Sequence, residues 1–133
     1  MTFAYTYIGM AATNTVLCIH RDPDELRLLR EKGYELVTAT NGSEGLRLLL
    51  SRPVDAVVLE YPLRALGGAE VVDEIRRVRP RVPIVMVADR QELSREALKS
   101  VDTLVAKSDG AHFLWAAIHF LLTTKPDPVS VRC

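Results

Sequence analysis

The chain has 133 residues, with 17 Lys and Arg against 17 Asp and Glu, three His, two Cys and 48% hydrophobic residues. That is enough for one domain with a proper core, and a formal net charge of zero argues against a general nucleic-acid or anionic-membrane binder, which needs excess Lys and Arg. The apolar blocks fall far short of the roughly 18 residues that span a bilayer, the amino end lacks the basic start and apolar stretch of a signal peptide, and Cys18 and Cys133 imply no disulfide framework, so the expected location is the cytoplasm.

From Thr15 onward, short apolar runs alternate with helical patterns. Val16-Leu17-Cys18-Ile19 reads as a buried strand. Asp22-Pro23-Asp24-Glu25 then supplies an N-cap, a proline at the first helical position and a capping-box Glu. The first helix turns Leu26, Leu28 and Leu29 inward and stops at Gly33. Leu36-Val37-Thr38-Ala39 is a second strand. Asn41 and Glu44 cap a second helix with Leu46, Leu49 and Leu50 as its stripe, ended by Pro53.

Ala56-Val57-Val58-Leu59 is a continuous apolar run, as a strand covered on both faces requires. Gly67-Gly68 precedes a third helix with Val71, Ile75 and Val78 on one face, stopped by Pro80. Ile84 to Ala88 is a fourth buried strand, Glu92 to Val101 a weaker fourth helix, and Thr103 to Ala106 a fifth strand. Ser108 or Asp109 caps a last helix running to about Leu122.

Five strand-then-helix units with apolar strands imply an α/β fold, a parallel sheet with helices on both faces. The expected architecture is a single doubly wound, flavodoxin-like (βα)5 domain with strand order 2-1-3-4-5. It occupies residues 15–123. Residues 1–14 form an arm in which Phe3, Tyr5 and Tyr7 alternate, and residues 124–133 form a linker-like tail.

In open parallel sheets the ligand crevice lies beyond the carboxyl ends of the strands. His20, Arg21 and Asp22 follow strand one, Glu60 follows strand three, Ala88 ends strand four and Lys107 follows strand five. In the proposed order His20 or Arg21, Glu60, Ala88 and Lys107 converge, and Glu60 finds two cations there.

These residues and their spacing resemble the receiver domain of two-component response regulators. Ile19-His20-Arg21-Asp22-Pro23-Asp24 stands where that family reads apolar, Asp, Asp, acid, Pro and a polar residue. Val57-Val58-Leu59-Glu60-Tyr61-Pro62-Leu63 stands where the phosphoacceptor Asp closes strand three, with Gly68 matching the following loop. Pro83 to Ala88 matches a strand that usually ends in Thr or Ser, and Val105-Ala106-Lys107 matches the fifth, with Ser108 in place of the usual Pro.

The resemblance implies a phosphoryl-accepting Asp and Mg²⁺ held by that Asp and the acid pair, and the residues depart from both. A guanidinium at Arg21 repels Mg²⁺, and Asp22 alone is a poor substitute. The Glu60 carboxylate reaches about one C–C bond further than Asp would. Ala88 has no hydroxyl for a phosphoryl oxygen, and Leu104 stands where a Tyr or Phe usually rotates. Only Lys107 matches.

The sequence therefore points to a degenerate pseudo-receiver: a phosphorylation-independent interaction module of two-component signalling, with no catalytic residue, no metal, and Mg²⁺ binding lost. Two arrangements of the pocket are open. Arg21 and Lys107 together hold Glu60, or Arg21 faces solvent and Glu60 pairs with Lys107 alone. A working phosphoacceptor at His20 or Glu60, served by a histidine kinase, is the alternative function. A small-ligand binder is another, which predicts a compact pocket beside His20.

The last helix is apolar nearly all round, more than one buried stripe requires. Its surplus suits a protein partner, a histidine kinase or an output protein, or a homodimer through the fourth helix, fifth strand and fifth helix, as the family commonly pairs. Trp115 and His119 are then the anchors, unless Trp115 packs on the amino-terminal arm. His112 and His119 are too far apart along the helix for a metal pair. Arg76, Arg77, Arg79 and Arg81 suit a helix carboxyl end better than a nucleic-acid surface.

Overall fold

The computed structural model describes residues 14–20, 26–61, 68–89 and 99–124. Five parallel strands, β1 (Thr15–Ile19), β2 (Glu35–Ala39), β3 (Ala56–Tyr61), β4 (Ile84–Ala88) and β5 (Thr103–Ala106), form one sheet in the order β2-β1-β3-β4-β5. The expected fold class and strand order are both present. The helices are α1 (Arg27–Glu31), α2 (Gly42–Ser51), α3 (Gly68–Val78) and α4 (Ala111–Thr124), the last preceded by a 3-10 turn over Lys107–Asp109. Most of the expected helix at 92–101, the amino-terminal arm and the tail from 125 lie outside the described residues, as does the cap at Asp22.

Side chains alternate across the sheet, and each face has its own core. On one face Leu17, Ile19, Val57, Leu59, Ile84 and Met86 pack against Leu49 of α2 and Val71 and Ile75 of α3. On the other, Val16, Cys18, Val58, Val85, Val87 and Val105 pack against Leu26, Leu29 of α1 and Leu114 and Ile118 of α4. Burial on both sides explains why β1, β3 and β4 read as unbroken apolar runs.

Local signals set the helix ends. Gly33 closes α1 at φ +99°, a backbone that other residues adopt only with strain. Asn41 Oδ1 accepts from the Glu44 amide at 2.9 Å, while the Glu44 carboxylate reaches back to the Thr40 amide at 3.4 Å, one residue before the expected partner. Neither Ser108 nor Asp109 caps the last helix. The Asp109 carboxylate instead accepts from the Ala106 amide at 3.0 Å, closing the 3-10 turn, and Gly110 at φ +88° leads into α4.

The stripe of α2 is also displaced from expectation. Gly42, Gly45 and Leu49 are the buried positions and Leu50 is 65% exposed. Gly45 sits against Ile19 of β1, and that close approach turns the helix so that Leu50 falls outside.

At the other end of the sheet, Arg76 ties three segments together. Its guanidinium donates to the carbonyls of Ser100 (2.9 Å), Pro80 (3.1 Å) and Val82 (2.6 Å) and to Asp102 (2.8 Å), whose carboxylate also accepts from the Ile84 amide. Arg79 donates to the Leu49 carbonyl at 3.0 Å and Arg77 pairs with Glu74. Within the basic cluster Arg76 thus holds α3 to the strand starts, Arg79 holds it to α2, and Arg77 pairs within the helix.

Two outcomes follow from this packing. A methyl group at position 45 would meet Cγ1 and Cδ1 of the fully buried Ile19, so Gly45→Ala lowers stability by about 1–2 kcal/mol in denaturant titration, despite alanine's better helix propensity. Burial pushes the Cys18 thiol up from 9.0 to about 12, with Arg30 acting weakly in the opposite direction. Because the folded pKa is raised, this contribution is complete below about pH 9 and is lost as pH climbs through 12. In a Cys133→Ser background, Cys18 resists thiol reagents at pH 8 until the protein unfolds, and Cys18→Ala flattens the alkaline stability loss.

Candidate functional site

Pleat parity decides which side chains can meet at the carboxyl ends of the strands. Val16 and Cys18 of β1, Ala56 and Val58 of β3, Val85 and Val87 of β4, and Val105 of β5 all belong to the α1/α4 face. Continuing the β1, β3 and β5 series by two residues brings His20, Glu60 and Lys107 to that same face. The His20 amide donates to the Ala39 carbonyl at 2.9 Å, holding the end of β1 against β2.

His20 and Glu60 are the buried polar side chains among the described residues, 3% and 4% exposed. Glu60 Oε2 lies 3.3 Å from Lys107 Nζ, and Oε1 lies 3.8 Å from His20 Nδ1. A carboxylate so deeply placed requires compensation by nearby cations or donors. The Lys107 chain is 27% exposed, so its ammonium reaches Glu60 while keeping part of its hydration.

The site differs in two particulars from the sequence expectation. Glu60 lies within β3, not beyond it, opposite Val87 in β4. Ala88 does not join the group: it is packed with Met86 in the α2/α3-side core, because the pleat sends it to the opposite face from Glu60. Leu104, opposite Met86 in β5, is half-buried against that same core. Arg21 and Asp22 lie outside the described residues, so the expected pairing of Arg21 with Glu60 is not described.

Trp115 and His119 stack with ring centroids 5.4 Å apart. Lys32 Nζ lies 4.6 Å from the Trp115 ring centroid, and the Tyr34 hydroxyl is 3.4 Å from His119 Nδ1. This cluster, with Trp115 and Tyr34 half-buried and Lys32 and His119 exposed, joins α4 to the end of α1, and burial raises the Tyr34 phenol above its ordinary pKa. The exposed large apolar side chains of α4 are instead Phe113 and Phe120, 51% and 62% exposed, which the sequence reading did not single out. No described helix is long and apolar enough to cross a membrane.

The model of the response regulator receiver domain matches residues 26–112. The chain belongs to this receiver family. The match includes Glu60, Ala88, Leu104 and Lys107 and begins after His20, Arg21 and Asp22. The transcriptional regulatory protein GlrR of Escherichia coli K12 is 34% identical over 76 residues, 54% of this chain and 17% of that protein. The chain thus spans about a sixth of the length of that relative.

Among solved structures, the receiver TrrA of Thermotoga maritima, in complex with Mg²⁺ and BeF, is 30% identical with a TM-score of 0.70 over 82% of this chain and 99% of that one. A CheY-like receiver domain from Methanospirillum hungatei shares the fold at a TM-score of 0.78 with 21% identity, covering 85% and 96% of the two chains. TrrA is also seen in complex with the histidine kinase ThkA. The receiver fold and a place in two-component signalling are therefore properties of this chain's family.

The unequal burial of the ion pair has a measurable consequence. Removing the ammonium strands a carboxylate in the interior, whereas removing the carboxylate leaves an amine that can turn to water. Lys107→Met therefore costs about 2–3 kcal/mol in denaturant unfolding and Glu60→Gln less than about 1 kcal/mol.

Proposed function

We propose that this receiver is a pseudo-receiver, a domain that signals through protein contact without accepting a phosphoryl group. The observation carrying this reading is the buried Glu60 carboxylate, with Lys107 Nζ at 3.3 Å and His20 Nδ1 at 3.8 Å. A negative charge is built in where the family places an Asp to be phosphorylated, and its pairing with Lys107 needs no phosphodonor.

The donor set supports the same reading. Mg²⁺ takes an octahedron of hard oxygens, whereas the described residues bring one carboxylate with a nitrogen near each oxygen. Among them no group of three or more His, Cys, Asp or Glu side chains is placed to hold a metal. Arg21 stands in the sequence where the second acid of the pair would stand, adding positive charge at the expected metal position. Ala88 offers no hydroxyl. On this reading the domain is not an enzyme, works without a cofactor, and acts in the cytoplasm on a histidine kinase or an output protein of a two-component pathway. TrrA, bound to ThkA, is the precedent for a kinase as the partner.

Intact-mass analysis after incubation with acetyl phosphate and Mg²⁺ tests it. The wild-type chain remains unmodified, and NMR amide shifts do not respond to beryllofluoride. The triple variant His20→Asp, Arg21→Asp, Glu60→Asp acquires a phosphoryl adduct and responds. A phosphoryl adduct on the wild-type chain overturns the reading and establishes a non-standard acceptor.

A further inference from the structure

The outer face of α4 differs from those of the other described helices. α1, α2 and α3 carry acidic and basic side chains along their lengths, whereas the 14 residues from Ala111 to Thr124 include no Asp, Glu, Lys or Arg. Phe113, Ala116 and Phe120 fall in one row of α4 and are exposed, the two rings by 51% and 62%. We propose that residues 1–13 of the same chain dock on this row, with Phe3, Tyr5 and Tyr7 as the side chains that cover it.

The place where the arm joins the sheet supports this occupant. The Asn14 carbonyl accepts from the Glu35 amide at 2.9 Å, and the Thr15 amide donates to Asp55 Oδ2 at 2.7 Å, so the chain enters at the starts of β1, β2 and β3. Tyr34, next to Glu35, places its hydroxyl 3.4 Å from His119 Nδ1. The arm therefore joins the sheet about one tyrosine's length from the second half of α4, the half that carries Phe120.

Its composition matches the face. Segments that stay in water are rich in charge and poor in aromatic residues. Residues 1–13 contain no Asp, Glu, Lys or Arg, and Phe3, Tyr5 and Tyr7 stand at every second position. In an extended chain these three side chains project to one side over about 13 Å, against about 10.5 Å from Phe113 to Phe120 along the helix. Residues 8–13 supply up to about 20 Å of chain to lead from Asn14 round the end of α4.

Two other occupants fit less well. Residues 125–133 follow α4 but contain Lys125, Asp127, Arg132 and two prolines, with no aromatic side chain. A second copy meets the face at its solution concentration, whereas an attached segment acts at an effective concentration on the order of millimolar. The inference goes beyond the pseudo-receiver reading and holds whether or not Glu60 accepts a phosphoryl group.

Spin labelling of the full chain tests the proposal. In a Cys133→Ser background, a nitroxide is attached at Thr6→Cys, between the proposed anchors, while buried Cys18 stays unlabelled. The amide NMR signals of Phe113, Ala116 and Phe120 are expected to be lost and to return when the nitroxide is reduced. In a mixture of spin-labelled chain with unlabelled, isotope-enriched chain, the same signals are retained. Phe120→Asp, at an exposed position, restores the signals of Phe113 and Ala116 in the labelled chain while those of Val57 and Val85 in the core are unchanged. The proposal is overturned by retention of the three signals in the labelled chain, or by undiminished loss in Phe120→Asp. Equal loss in the mixture also overturns it and gives the face to a second copy.

Discussion

A parallel sheet covered on both faces imposes a period of two on everything that leaves its strands. Each residue of β1, β3, β4 and β5 faces either the α2/α3 core or the α1/α4 core, and a one-residue change of register would exchange the two sets. The same parity that sorts Val16 from Leu17 at one end of β1 places His20 with Glu60 and Lys107 at the other. Site and core are thus products of one constraint, and Ala88 is separated from Glu60 by it as firmly as Met86 is from Val87.

Within that frame the chemistry is governed by the cost of burying charge. Glu60 is almost completely removed from water, and a carboxylate there is tolerable only with cations or donors close by. Lys107 provides the closer nitrogen, with His20 slightly further away. In the receiver family the corresponding region gathers acid and relies on a metal to neutralise it. The proposed pseudo-receiver reading rests on Lys107 supplying that neutralising charge in this chain.

The opposite end of the sheet is organised by hydrogen bonding. Arg76 draws together the end of α3 and the starts of β4 and β5 through backbone carbonyls and Asp102. As a cluster of arginines in the sequence it looked like a surface patch suited to a helix dipole. Its role depends on Ser100 and Asp102, more than 20 residues away along the chain, which no local pattern reveals. The same limit hid the orientation of α2, where Gly45 against Ile19 turns Leu50 outward, and that of α4, where Trp115 lies against Lys32 and leaves Phe113 and Phe120 exposed.

The amino-acid sequence alone determined the five strands and the helices described among them, because apolar runs, the Asn41 cap, the Gly33 stop and crossover handedness are local or follow from general rules, whereas the cap expected at Ser108 or Asp109 is a 3-10 turn. Those features point to five parallel strands in the 2-1-3-4-5 order, and with them to the strand ends as the place to look for a site. The residue types at 20, 60, 88, 104 and 107 were equally plain, and with them the departure from the family's acid pair and acceptor. Only the tertiary structure decided which of those residues share a face, how deeply Glu60 is buried, and that His20 approaches it. These depend on pleat parity, strand register and helix rotation taken together, and each is set by contacts between residues far apart in the chain.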